Sequence, residues 1–298
     1  MPHNTLYSAF EHSTDFLNNI ITKWDFSKIP LIVSISGPQG SGKTYVSTKI
    51  IQYISREYPQ LKSIAVSTDD LYLKHSDQVK LSKEDNVLLK GRGLPGTHDI
   101  ESFYNILQKL INRDNNFEIP TYDKSKFQGE GDRADRENWI HIGEKPVDII
   151  IVEGWFNGFT PLVNDDEIDL KVQASKILQD YNKQDLYEIN SNLDLYQKIW
   201  ELFDYSIFFN VDDLEWIKDW RIEQEHALIK IKGSGMSDDQ VVDFIKRYLA
   251  VYELYYKDFT EIGLANYRKI SNLKLKGLKR NLKLTLYKDR SVKQVEEI

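Results

Sequence analysis

Short apolar runs and helically spaced stretches alternate along the chain. Residues 31–36 (LIVSIS), 63–68 (SIAVST), 146–154 (PVDIIIVEG) and 205–211 (YSIFFNV) are rich in β-branched and aromatic residues. Runs of this length between turn signals predict buried strands. Leu282, Leu284 and Leu286 alternate, which predicts a last strand over 282–287, at a sheet edge. Between these runs lie helical patterns. Phe10, Phe16, Leu17, Ile20 and Ile21 make one stripe over 5–24, and Val46, Ile50, Ile51 and Ile54 another over 43–58. A polar helix is expected over 77–90, and an amphipathic one over 100–112 with Asp99 as its N-cap. Residues 160–203 read as polar and helical. A helix over 216–232 is broken by Gly233-Ser234-Gly235, and Ser237 starts another that runs to about residue 259. The tail beyond residue 287 is charged and expected to fray. Strands alternating with helices predict an α/β fold: three layers, with a doubly wound, mostly parallel sheet.

Composition narrows the class. At 298 residues the chain suits one large α/β domain or two small ones. No apolar stretch approaches a membrane span, and Glu11 and Asp15 interrupt any signal-peptide core. There are no cysteines, so disulfide scaffolds and thiolate chemistry are excluded. The net charge of −7 argues against a nucleic-acid partner. A monomer in the cytoplasm is expected, with presence in the nucleus also compatible.

The chemistry centres on Gly37-Pro38-Gln39-Gly40-Ser41-Gly42-Lys43-Thr44, which fits the phosphate-cradling pattern G-x-x-x-x-G-K-[ST]. It stands between an expected strand and an expected helix, the context the pattern requires. Its glycines let backbone amides converge on a phosphate at a helix N-terminus. Lys43 would reach the β- and γ-phosphates of a nucleotide, and the Thr44 hydroxyl would ligate Mg²⁺. Two strands end in carboxylates, at Asp69-Asp70 and at Glu153. Ligands bind at the carboxyl ends of such strands. An aspartate there can take the proton of an acceptor hydroxyl, and Glu153 is the candidate to hold Mg²⁺. Capping of the following helix is the alternative role for Asp69 or Asp70. Two loops stand out, GRGLPGTHD over 91–99 and the long 119–136, dense in charge and glycine. A basic helix, turn and helix over 213–259 suits a closing lid. Asn182-Lys183-Gln184-Asp185 matches a guanine-reading motif, but it follows no buried strand and is discounted.

GPQGSGKT, STDDLY, GRGLPGTHD, PTYDKSKFQGEGDR and VEGWFNGF, in this order, resemble the fungal and plant glycerate-kinase-like ATP-dependent kinases. These sit in the wider group of uridine kinase, phosphoribulokinase and bacterial pantothenate kinase. The likeness covers about residues 30–260 and runs to the fungal branch. It departs at Tyr248–Tyr252, which lacks a proline frequent in the family. The resemblance implies a single phosphate-loop kinase domain with a helical lid over 213–259, and residues 160–203 as a helical insertion. It implies ATP and Mg²⁺ as cofactors and a small-molecule acceptor. Asp69 would be the catalytic base, Lys43 and Arg221 would stabilise the transferring phosphoryl group, and Thr44 and Glu153 would serve the metal. Asp70, Tyr72, Arg92, His98, Asp99, Tyr122, Lys124 and Arg133 would serve the acceptor. The basic residues suggest an acidic or phosphorylated acceptor, glycerate among them. The rival expectation is a phosphate-loop regulator that binds ATP without acceptor chemistry.

Overall fold

The computed structural model describes residues 5–232, 236–268, 275 and 277–298. The strands in chain order are β1 (Leu31–Ser36), β2 (Ser63–Ser67), β3 (Phe117–Ile119), β4 (Tyr122–Asp123), β5 (Asp132–Arg133), β6 (Ile140–Ile142), β7 (Ile149–Gly154), β8 (Tyr205–Val211), β9 (Asn281–Leu286) and β10 (Val292–Glu297). The helices are α1 (Thr5–Ile21), α2 (Lys43–Glu57), α3 (His75–Leu81), α4 (Ile100–Ile111), α5 (Asp165–Ala174), α6 (Lys183–Asp194), α7 (Gln197–Trp200), α8 (Glu215–Lys232) and α9 (Asp238–Ile262).

Six strands form one sheet in the order β10-β9-β8-β1-β7-β2, all parallel except β10. β1 and β7 are buried at every position, which is why both read as unbroken apolar runs. In β2, at the edge, only Val66 is buried. The chain leaves β1 for one side of the sheet and later returns to pair β8 on the other. The switch point therefore lies beside β1, and a crevice opens beyond the carboxyl ends there. Register brings those ends level: Glu153 pairs with Ile35 of β1 and with Ser67 of β2.

Aromatic side chains seal the helices to the sheet. Phe259 of α9 meets Phe208 of β8 at 4.9 Å between ring centroids, and Tyr248 and Tyr252 each meet Trp155 at 5.0 Å. Among the described residues, no helix is long and apolar enough to cross a membrane.

Three expectations change. The helix over 77–90 is α3, which ends at Leu81. Asn86 then accepts from the amide of Leu88, a local bond that competes with helix and leaves a short 3₁₀ turn. The 119–136 loop holds the two-residue ladder β4–β5 and is flanked by the β3–β6 ribbon, strands too short to show a period. The tail is not frayed. β10 pairs antiparallel with β9 and takes the edge expected for 282–287, and its charges suit an edge strand. Gly233-Ser234-Gly235 lie outside the described residues.

Candidate active site

The phosphate loop leaves β1 and enters α2. Gly40 has a φ of 78°, and a Cβ there would stand 2.5 Å from Cβ of Trp220. Only glycine meets both conditions. The cap of α2 is Gly42, so no side chain occupies the first-turn amides, which stay available for an anion. Ser41 Oγ is buried and has no hydrogen-bond partner among the described residues. Lys43 Nζ donates to the Pro38 carbonyl at 2.8 Å. Burial pulls the Lys43 pKa down to about 8, against the attraction of Glu153 and Asp69. Gln39 is tied to α9: its amide donates to Tyr252 Oη at 3.3 Å, and that hydroxyl donates to Gln39 Oε1 at 2.5 Å.

The Thr44 hydroxyl meets both Glu153 oxygens, at 3.0 and 2.9 Å. A hydroxyl and a carboxylate are the hard oxygen donors Mg²⁺ takes. Among the described residues no cluster of three or more His, Asp or Glu side chains is placed to hold a metal. The pair therefore fits a cation shared with nucleotide phosphates better than an all-protein cage.

Asp69 stands at the end of β2. Tyr72 Oη donates to its Oδ1 at 2.8 Å and Lys124 Nζ to its Oδ2 at 2.6 Å. Burial works to raise its pKa, but the Lys124 charge and both hydrogen bonds outweigh that and hold it at about 2. Asp70 points elsewhere. It accepts from the Tyr122 amide at 3.0 Å and so pins the 119–136 loop. Burial lifts its pKa to about 6.

Beyond Lys124 lies a cavity of about 1030 Å³, lined also by Arg92, Arg221, Phe244 and Arg247. Arg92 donates to the carbonyls of Gly129, at 2.7 Å, and Glu130. Arg221 pairs with Glu225 at 2.8 Å and stacks over Phe244. The remaining predicted acceptor residues support these groups from behind. Tyr72 stacks on His98 with 4.5 Å between centroids, and His98 Nδ1 bonds Tyr196 Oη at 2.7 Å. Burial lowers the His98 pKa to about 4, so the ring is neutral. Asp99 caps α4 through the Ser102 amide and pairs with Arg133 at 3.1 Å. Tyr122 stacks its ring beneath Arg92 and accepts from Gln78 at 2.5 Å.

Four contacts were invisible to motif reading. Tyr252 holds Gln39, and Trp155 donates to the Gly93 carbonyl at 3.0 Å. Arg247 binds the loop before Arg92, and Arg290 donates to the Gly40 carbonyl at 2.7 Å. Arg290 sits in a stretch that reads only as charged tail. Asn182 is simply the N-cap of α6, in line with discounting the guanine motif.

No protein-family model matches the chain. Curated relatives do. The chain is 38% identical over 266 residues to the Saccharomyces cerevisiae protein named "Probable ATP-dependent kinase TDA10", covering 85% of this chain and 87% of that one. It is 34% identical over 232 residues to the chloroplastic D-glycerate 3-kinase of Arabidopsis thaliana, covering 76% and 48%. Among solved structures, a D-glycerate 3-kinase from Cryptococcus neoformans superposes with a TM-score of 0.81 at 31% identity, covering 98% and 99% of the two chains.

Proposed function

Because the chain belongs to the family of ATP-dependent kinases that includes D-glycerate 3-kinases, we propose that it phosphorylates a hydroxyl of a small anionic hydroxy acid, with Asp69 as the base. The enzyme is an ATP-dependent phosphotransferase with an alcohol acceptor. D-glycerate is the first acceptor to try, since two similar proteins carry that name.

One observation carries the proposal. Lys43, the Thr44–Glu153 pair and the Asp69–Lys124 pair meet at the carboxyl ends of β1, β7 and β2. Loop amides and Lys43 would hold the β- and γ-phosphates, Lys43 leaving the Pro38 carbonyl to do so. Thr44 and Glu153 would hold Mg²⁺, which when bound offsets charge on the phosphate oxygens. Asp69 is ionised at neutral pH and accepts hydrogen bonds already. It would orient the acceptor hydroxyl and take its proton late, as the oxygen–phosphorus bond forms and the bond to ADP breaks. So weak a base suits a loose transfer in which little negative charge develops on the nucleophile. Arg221, paired with Glu225 here, would turn to the transferring group as the lid over 213–259 closes.

Asp69→Asn keeps the shape but cannot take a proton. It should lower kcat by about 10²–10⁴-fold with the KM for ATP little changed. Acceptor-dependent ADP release across hydroxy acids, sugars and nucleosides measures this. Full turnover by Asp69→Asn would remove the assignment of the base. ATP binding with no acceptor stimulating turnover would favour a regulator.

A further inference from the structure

No motif marks Arg247. It sits on α9 and lines the same cavity as Lys124. Nε and Nη2 donate to the Leu88 carbonyl at 3.1 and 2.7 Å, and Nη2 also donates to the Gly91 carbonyl at 2.8 Å. Nη1 has no hydrogen-bond partner among the described residues, yet it is not one of the sealed, unsatisfied atoms. Arg92, one residue beyond Gly91, is likewise held by carbonyls.

Charge around the cavity is unevenly compensated. Lys124 is matched by Asp69 and Arg221 by Glu225. The other carboxylate in the wall, Glu130, meets His75 at 2.6 Å. Among the described residues Arg92 and Arg247 form no ion pair, and their guanidinium hydrogen bonds go to neutral backbone oxygens. Burial lowers the Arg247 pKa, and the neighbouring Arg92 charge pushes the same way. Partly buried cations without a counter-ion are costly. Two guanidinium groups oriented by backbone carbonyls, with N–H groups left over, are preorganised for a planar anion.

We infer that Arg247 is an acceptor-binding residue and, with Arg92, holds the carboxylate of the hydroxy acid. The inference rests on the kinase reading above and adds to it where the acceptor's charge is recognised. It also gives α9 a part in the acceptor site: the helix that holds Gln39 of the phosphate loop through Tyr252 also holds the acceptor loop through Arg247.

Glycerol, which has the hydroxyls of glycerate without its carboxylate, separates binding from scaffolding. In the full chain, Arg247→Gln should raise the KM for D-glycerate by about 10–100-fold and leave the KM for ATP and any turnover of glycerol near wild type. Arg247→Lys, which keeps the charge but not the fork, should recover part of the loss. An unchanged KM for D-glycerate would overturn the inference. So would an equal loss with glycerol and glycerate accompanied by a lower Tm, the signature of a loop tether alone. Calorimetric titration of D-glycerate into the ADP-bound protein tests binding without turnover. Wild-type binding that weakens at least tenfold in Arg247→Gln supports the inference even if no acceptor is phosphorylated, in which case the kinase reading fails alone. No binding by wild type, or equal binding by both, overturns it.

Discussion

Two adjacent aspartates at the end of β2 have opposite electrostatics. The pKa of Asp69 falls from 3.8 to about 2 on folding, so it stabilises the fold above pH 4 and loses that contribution as pH falls toward 2. Asp70 rises from 3.8 to about 6, so its cost is absent below pH 4 and grows as pH climbs through 6. Asp70→Asn should therefore remove a decline in stability between pH 4 and 6, read by urea unfolding across pH. An unaltered pH slope would show that Asp70 is not the source. Lys43 sets a second pH dependence. Its pKa is about 8 in the free loop, and a bound phosphate favours the ammonium form. Nucleotide affinity should fall above pH 8, by up to about tenfold per pH unit, with proton uptake on binding. Calorimetry in buffers of different ionisation enthalpy measures that uptake, and a flat affinity between pH 8 and 9 contradicts it.

Elements hold this site as much as its motifs do. The phosphate loop is braced from outside by the β9–β10 turn. Arg290 there donates to the Gly40 carbonyl, pairs with Glu223 of α8 at 2.7 Å and stacks over Trp220. Trp220 in turn donates to the Lys288 carbonyl at 2.7 Å. The C-terminal hairpin thus links the phosphate loop to α8, the first helix of the proposed lid. Arg290→Ala should raise the KM for ATP about three- to tenfold, through a mispositioned loop, while the KM for the acceptor stays near wild type. Steady-state kinetics with both substrates varied decides it; a change confined to the acceptor would refute the brace.

Across the whole molecule, the long return from β8 to β9 is anchored by a buried ion pair. Asp204 is fully buried, accepts from the Ile32 amide at 2.8 Å, and meets Arg268 at 2.8 and 2.5 Å. Burial pushes its pKa up to about 6 even with Arg268 beside it. Arg268→Met removes the ion-pair partner of that carboxyl and should cost about 3–5 kcal/mol in urea unfolding. A loss under 1 kcal/mol would mean the pair is dispensable. Sequence alone determined the class of fold and the phosphate loop over Gly37–Thr44. Buried strands must be apolar at every position, and a phosphate loop must have its glycines and lysine at set spacing. These are local demands, so they are written in consecutive residues. GRGLPGTHD and the 119–136 loop stand out in the sequence as candidate segments through resemblance, but the contacts of each residue within them do not. His98, Asp99 and Arg133 are polar loop residues like Arg92 and Lys124, and only packing tied the first three to neighbouring side chains and left the other two on the cavity. Arg247 and Arg290 lie 156 and 250 residues from Gly91 and Gly40, whose carbonyls they hold. In those loops their partners are backbone carbonyls, which every residue possesses and no motif can signal. The tertiary structure decided which charges stay uncompensated, because compensation depends on which groups folding brings within hydrogen-bond reach.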